Sequence, residues 1–363
     1  QERDVIWANK IRAKHHQPPV EPLYTIADAE AAMDSFVAVD YDETFEPVPG
    51  ITATFKEAGH ILGSASVLLE VDEDGKRTDV CFTGDLGRAG IPVLRDPVVL
   101  RDPDVLVMEC TYGSRSHGSF DEVAEELADT IRTVASTGGK IIVPAFAVGR
   151  TQLLVYLLHK LFNQNRIPEI PIFVDSPLAV TATEIFRTHT EYLDRETERI
   201  FLQDNEDPFG FRRLRYVREV EESKQLNGLS YPHIIISASG MAEGGRILHH
   251  LRNNIGKKNN LVLFVGYAAK DTLARKIMDG EKVVRIFGEE HKVKARVEVM
   301  DSFSAHADRR DLLDYVKMSS PEKLKHVMLV HGEADQALSL RDALRSMGYR
   351  NVIFPEPDHT ITL

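Results

Sequence analysis

A chain of 363 residues can bury two ordinary cores, and a composition of 43% hydrophobic and 28% charged residues is that of a soluble globular protein. No apolar run approaches the ~20 residues of a bilayer span, "QERDVIWANK" is not laid out as a secretory signal, and Cys81 and Cys110 alone exclude a disulfide framework and fit a reducing cytoplasm. The net charge of −12 argues against a broad surface that coats nucleic acid, although a narrow channel with metal ions at its base would carry its own positive charge.

From the N-terminus, "DVIWANKIRAKH" has helical spacing without a capping start. "PLYTIADAEAAMDSF" reads as a helix capped by Thr25, with Asp28 and Glu30 in its first turn. Between residues 45 and 85 the pattern alternates: "GITATFKEAGH", "SASVLLEVD" and "RTDVCFTGD" are successive strands, the last two joined by the turn "EDGK". "DVLVMEC" is an apolar strand followed by the helix "DEVAEELADTIRTVAS". Next, "GKIIVPAF", "IPIFVDS", "HIIISAS" and "NLVLFVGY" each precede a helical pattern, which predicts a parallel sheet with helices packed on it. The polar stretch 188–229 is expected to be helices and loops over that sheet. Alternating strands return at "VVRIFG" and "KARVEVMDSF", and the chain closes with "HVMLVHG", a helix to Met347 and the strand "NVIFPE". A β-rich part at both ends and a doubly wound α/β middle imply one domain inserted into another.

Five side chains suited to metal binding or proton transfer stand where apolar strands end: His60, Asp85, Glu109, His306 and His331. Ligands bind beyond the carboxyl ends of strands in open α/β sheets, so this is where chemistry is expected. Each taken alone also reads as a hydrogen-bonded structural residue, and spacing does not show whether the five converge. Cys110 is expected to be a small core residue. The pairs His15–His16 and His249–His250 sit on helical patterns and are expected on solvated faces.

"EAGHILGSA", "FTGDLGR", "ECTYG", "PAFAVGR", "SASGMAEGGR", "SFSAHAD" and "LVHGE", in that order, resemble the β-CASP branch of the metallo-β-lactamase superfamily. The resemblance covers essentially the whole chain. It implies an α/β protein: an αββα metallo-β-lactamase sandwich in two segments, 1–115 and 293–363, with a doubly wound parallel-sheet β-CASP domain inserted at 116–292. It implies a zinc-dependent ribonuclease with two Zn²⁺ ions. His60 would bind one ion, Asp85 would bridge both, and His331 would bind the second. Glu109 would orient a histidine, and His306 would contact the scissile phosphate and protonate the leaving oxygen. Imidazole and carboxylate donors suit Zn²⁺, and a ligating histidine needs an acceptor behind it. Single-stranded RNA is the implied partner, cut to a 5′-phosphate, and relatives often form homodimers.

Other matched segments are expected to serve the RNA. Ser304 and Ala305 flank His306 and would donate hydrogen bonds to a phosphate. The turn "SASGMAEGGR", with Ser239 and Gly240, offers backbone amides to an anion or merely packs. Ser176 in "VDSPLA" touches substrate or simply caps its helix. Arg150, Arg246 and Tyr112 line the channel or serve a domain interface. The family's histidine–x–histidine–x–aspartate–histidine stretch does not occur in the sequence. The expectation is therefore an N-terminally truncated chain whose three ligands cannot complete two four-coordinate zinc sites. A non-catalytic scaffold is the rival reading. A hydrolase of small esters or lactams would lack the α/β insertion.

Overall fold

The computed structural model describes residues 2–203, 206–358 and 360, and the chain divides into two compact units, Gln1–Glu43 and Thr44–Leu363. In the first unit, helix Glu2–Lys14 is followed by helix Ile26–Met33. The second helix begins at a capping box: the Thr25 hydroxyl accepts the Asp28 amide proton while the Asp28 carboxylate accepts that of Thr25. Between them, Val20 and the Asn9 side chain exchange two hydrogen bonds and Arg12 Nε donates to Pro18 O, so the linker folds back on the first helix.

The second unit holds two large sheets. A seven-stranded sheet runs Thr44–Val48, Ile51–Glu57, Ala65–Glu73, Lys76–Phe82, Val105–Glu109, His326–Val330 and Val352–Ile353. Its first four strands form an antiparallel meander and the rest pair in parallel. The C-terminal strands thus return to the sheet that the N-terminal ones began. One face carries Leu68, Cys81, Leu106 and Val327 against Leu312 and Val316 of helix Arg309–Lys317 and Leu340 of helix Ala334–Ser346. The opposite face carries the cross-strand row Phe55, Val67, Phe82, Val107 and Met328. None of these five is fully buried, and Phe82 is 41% exposed.

The other sheet has six strands, all parallel, in the order Arg296–Val299, Leu261–Phe264, Ile141–Pro144, Ile234–Ser237, Ile172–Val174 and Leu214–Tyr216. Its central strands are unbroken apolar runs because both faces are covered. Ile141, Val143, Ile234 and Ile236 enter one core with helices Phe120–Ser136 and Arg150–Asn163. Ile142, Ile235, Val262 and Phe264 enter the other with helix Ile247–Asn254. The expected α/β architecture with a doubly wound parallel sheet is the one observed. "VVRIFG" does not join it: Val283–Ile286 pairs only with Glu289–Lys292, as a hairpin. No helix among the described residues is long and apolar enough to cross a membrane.

Candidate functional site

Backbone contacts bring together the strand ends that carry the five singled-out side chains. Past Ile51–Glu57 the chain turns at Gly59, whose φ is +67°, and Ser64 Oγ accepts the amide protons of His60 and Ile61. The Asp85 loop lies directly against this turn. Gly87 N donates to Ala58 O, and a Cβ added to Gly87 would stand 1.9 Å from Gly59 O, so only glycine lets the two backbones meet. Ala307 N donates to Leu86 O, which ties the His306 loop to the same place.

His331 ends strand His326–Val330 with a left-handed φ of +51°. The next residue presses on Cys110, where a Cβ added to Gly332 would lie 2.6 Å from the thiol sulfur. Cys110 is buried and its thiol donates to Val330 O, the structural role expected of it. An apolar strand therefore delivers an imidazole at its tip because a bend enforced by close packing turns the side chain out of the core.

Asp85 divides its carboxylate between two histidines: Oδ2 is 3.8 Å from His60 Nε2, and Oδ1 is 3.4 Å from His331 Nε2. His60 and His306 lie ring against ring with centroids 4.4 Å apart, and His306 is 5.9 Å from His331. One donor atom each from His60, Asp85 and His306 lie within 4.8 Å of one another. Glu109 lies beneath them, buried. It accepts from Leu86 N at 2.7 Å and Thr111 N at 3.4 Å, and its two oxygens are 3.0 and 3.2 Å from His306 Nδ1. An ionised carboxylate only accepts, so His306 Nδ1 donates and Nε2 is left for the cluster.

Burial, and then the neighbouring His306, push the His60 imidazolium down to a pKa of about 4. His60 is therefore neutral near pH 7, the form that ligates metals. Its Nδ1 is buried without a hydrogen-bond partner. Two imidazoles sharing one carboxylate, an orphaned buried nitrogen and an acid behind a third histidine form a donor set that fits Zn²⁺.

Two cavities flank the cluster. One, of about 360 Å³, is lined by His60, Phe146, Arg150, Tyr267, Ser304 and His306. The other, of about 460 Å³, is lined by Tyr112, Arg115, Tyr267, Arg275, His331 and Glu333. Ser304 is buried beside Tyr112, and Ala305 also faces the first cavity. Tyr112 packs on His117 and stands 6.3 Å from His306.

The remaining candidates sit elsewhere in the hydrogen-bond pattern. Ser176 Oγ accepts the Ala179 amide proton as the N-cap of helix Pro177–Thr188. Ser239 Oγ accepts from Glu243 N and closes its own turn, and Gly240 packs against Phe146, where a Cβ would come within 2.9 Å of the ring. Arg246 donates to Asp175 and to the carbonyls of Val217 and Arg218. One expectation needs correction: His249 is exposed, but His250 is fully buried, with Nε2 2.6 Å from Asp175 Oδ2. Helical periodicity located the pair without revealing that a buried carboxylate awaited one member. Sequence reasoning missed Phe146, Tyr267 and Arg88. Phe146 and Arg88 lie inside quoted motifs, while Tyr267 carries no local signal.

Residues 151–277 match the family model described as the Beta-Casp domain, and residues 290–355 match the Zn-dependent metallo-hydrolase RNA specificity domain. A ribonuclease of Thermus thermophilus is 34% identical over 328 residues, 90% of this chain and 73% of the relative. The transcription termination factor FttA of Methanocaldococcus jannaschii is 30% identical over 344 residues, 92% of this chain and 53% of the factor. An RNase J-like protein of the same archaeon is 33% identical over 327 residues, 87% of this chain and 72% of its own length. The chain spans about half of the termination factor and nearly three quarters of the other two.

Proposed function

The chain belongs to the β-CASP family of the metallo-β-lactamase superfamily, a family of RNA-processing nucleases, and from that premise we propose that it is a zinc-dependent ribonuclease that hydrolyses single-stranded RNA in the cytoplasm. The observation that carries this reading is the cluster: His60 and His331 face opposite oxygens of Asp85, and His306 lies beside them with its far nitrogen held by Glu109.

In this reading His60, Asp85 and His331 would hold Zn²⁺; two ions would need further ligands, since these three cannot fill two four-coordinate sites. When bound, zinc supplies positive charge and Lewis acidity at the phosphoryl group. The protein's own groups do the rest. Glu109 fixes the His306 tautomer and stabilises the charge of its protonated ring, so that Nε2 donates a proton to the departing 3′ oxygen. Water adds to phosphorus and releases one proton to solvent, and the P–O3′ bond breaks as O3′ takes the proton from His306, leaving a 5′-phosphate and a 3′-hydroxyl. Ser304 and Ala305 position the phosphate. Ser239, Gly240 and Ser176 act at one remove, by shaping the loops around the inserted domain.

The test follows cleavage of a labelled single-stranded RNA by full-length protein with zinc, with EDTA, and with His331→Asn in place of wild type. Asparagine tolerates the left-handed backbone at this position. The expected result is hydrolysis to 5′-phosphate products that EDTA abolishes and the variant lowers about a hundredfold or more. Undiminished cleavage by the variant sinks the assignment. Tight RNA binding with no cleavage at any zinc concentration supports a non-catalytic scaffold instead.

A further inference from the structure

Arg150 is an anomaly of charge. It opens helix Arg150–Asn163 in the loop "PAFAVGR", is only 9% exposed, and its side chain makes no hydrogen bond or ion pair among the described residues. Its Nη1 in particular is buried without an acceptor. Arg246, the other arginine singled out from sequence, meets a carboxylate and two carbonyls. A desolvated guanidinium with no partner is a standing cost to folding, and proteins keep such groups where a ligand supplies the missing anion. Burial also pulls the Arg150 pKa down to about 10, which leaves it charged at neutral pH. Arg88 lines a neighbouring recess together with Arg150 and His60, and its own donors are spent on the carbonyls of Ser302 and Gly118.

The rest of the cavity has a different chemistry. Phe146 is 44% exposed and Tyr267 37% exposed, and both line the same 360 Å³ space as Arg150 and His306. Val148 and Met241 complete an apolar wall. That volume falls within the range of about 300–1,000 Å³ typical of small-molecule pockets. An unanswered cation beside aromatic walls matches a nucleotide, whose phosphate is anionic and whose base stacks on any π-face. Inorganic phosphate would leave the walls unused.

We infer that the loop Phe146–Arg150 grips the nucleotide next to the scissile phosphate, with Arg150 binding its phosphate and Phe146, which lines the same cavity as Tyr267, stacking its base. The inference rests on the ribonuclease reading and adds to it residues outside the zinc cluster. Thr151 Oγ1 and Gln152 Nε2 donate to the carbonyls of Phe146 and Ala147, so the loop is held before any ligand arrives.

The test measures binding of a fluorescein-labelled single-stranded RNA hexamer, by anisotropy between 50 and 200 mM salt, with EDTA and again with zinc, together with thermal melting of each variant. Arg150→Gln is expected to weaken binding about ten- to a hundredfold and to reduce the slope of log K against log salt by about 0.7, the loss of one phosphate contact. Arg150→Lys should retain the slope at reduced affinity. Phe146→Ala should weaken binding about five- to a hundredfold with the slope unchanged. Without RNA, Arg150→Gln should melt above wild type, because an unpaired buried charge has gone; a purely structural arginine would do the opposite. Wild-type affinity and slope in Arg150→Gln, or full affinity in Phe146→Ala, overturns the inference and leaves the ribonuclease reading standing. Should Arg150→Gln fail to fold, the exposed Phe146 still decides. A folded wild-type protein that binds no RNA with or without zinc overturns the ribonuclease reading, and this one with it.

Discussion

The two sheets of the larger unit divide the work of the protein. The six-stranded sheet is apolar on both faces, and Ile142, Ile235 and Val262 in its central strands are wholly buried. It contributes mass and rigidity, and it positions the Phe146–Arg150 loop. The seven-stranded sheet is sealed on one face only, and its other face keeps the row from Phe55 to Met328 partly exposed. Yet this sheet supplies His60, Asp85, Glu109 and His331 from its strand ends. The difference teaches that the strands bearing the chemistry still pack one face, with Cys81, Leu106 and Val327 in a core, while the six-stranded sheet packs both. Of the side chains at these strand ends Glu109 is buried, whereas that of His331 is 60% exposed.

That division can be broken or sharpened by substitution. The largest effect on stability is expected from Ile235→Ala, at about 2–5 kcal/mol, since a fully buried isoleucine leaves a cavity between covering helices; chemical denaturation measures it, and a cost under 1 kcal/mol would contradict the assignment of stability to this sheet.

Acid should act on the same sheet through His233, just ahead of strand Ile234–Ser237. Burial pushes its imidazolium from 6.5 down to about 4. Because the folded state disfavours protonation, the stability tied to neutral His233 is fully present above pH 6.5 and is lost as pH falls through 4, on the order of 3 kcal/mol. Urea midpoints at pH 7 and 4.5, in wild type and His233→Asn, should diverge accordingly. Equal pH dependence in the two proteins would remove His233 from the account.

On the seven-stranded sheet the expected losses are in activity. His331→Asn should abolish most cleavage while moving stability by no more than about 0.5 kcal/mol, as befits an exposed side chain. Glu109→Gln should lower kcat about ten- to a hundredfold, because the His306 tautomer is no longer enforced; a kinetic pH profile identical to wild type would count against that role. The smallest effect belongs to Phe82→Thr. Its ring is already part-solvated, so a stability change within about 1 kcal/mol is expected from thermal melts, and a collapse of the fold would mean that this face carries more than its exposure implies.

Much of this was legible one residue at a time. "IIVP", "IFV", "IIIS" and "LVLF" announce doubly covered parallel strands because parallel sheets bury both faces, and alternation in "ITATFKE" and "ASVLLEVDE" announces a sheet with two unlike faces. Thr25 is read correctly as a helix start, since a cap is a contact across three residues; the cap at Ser119 is seen only in the structure. His250 was misread for the opposite reason: its partner Asp175 lies 75 positions away. The absence of any acceptor for Arg150, and its contrast with the satisfied Arg246, is likewise invisible in a list of residues.

The sequence by itself determined which residue types stand at which strand ends, because covalent order and local periodicity set where each strand begins and stops. Only the tertiary structure decided that His60 and His331, 271 positions apart by number, flank one carboxylate, and that Glu109 rather than solvent holds His306. The physical reason is that these pairings depend on loops meeting at close range, Gly87 on Gly59 and Gly332 on Cys110, where the absence of a single Cβ permits contact between segments that share no local pattern.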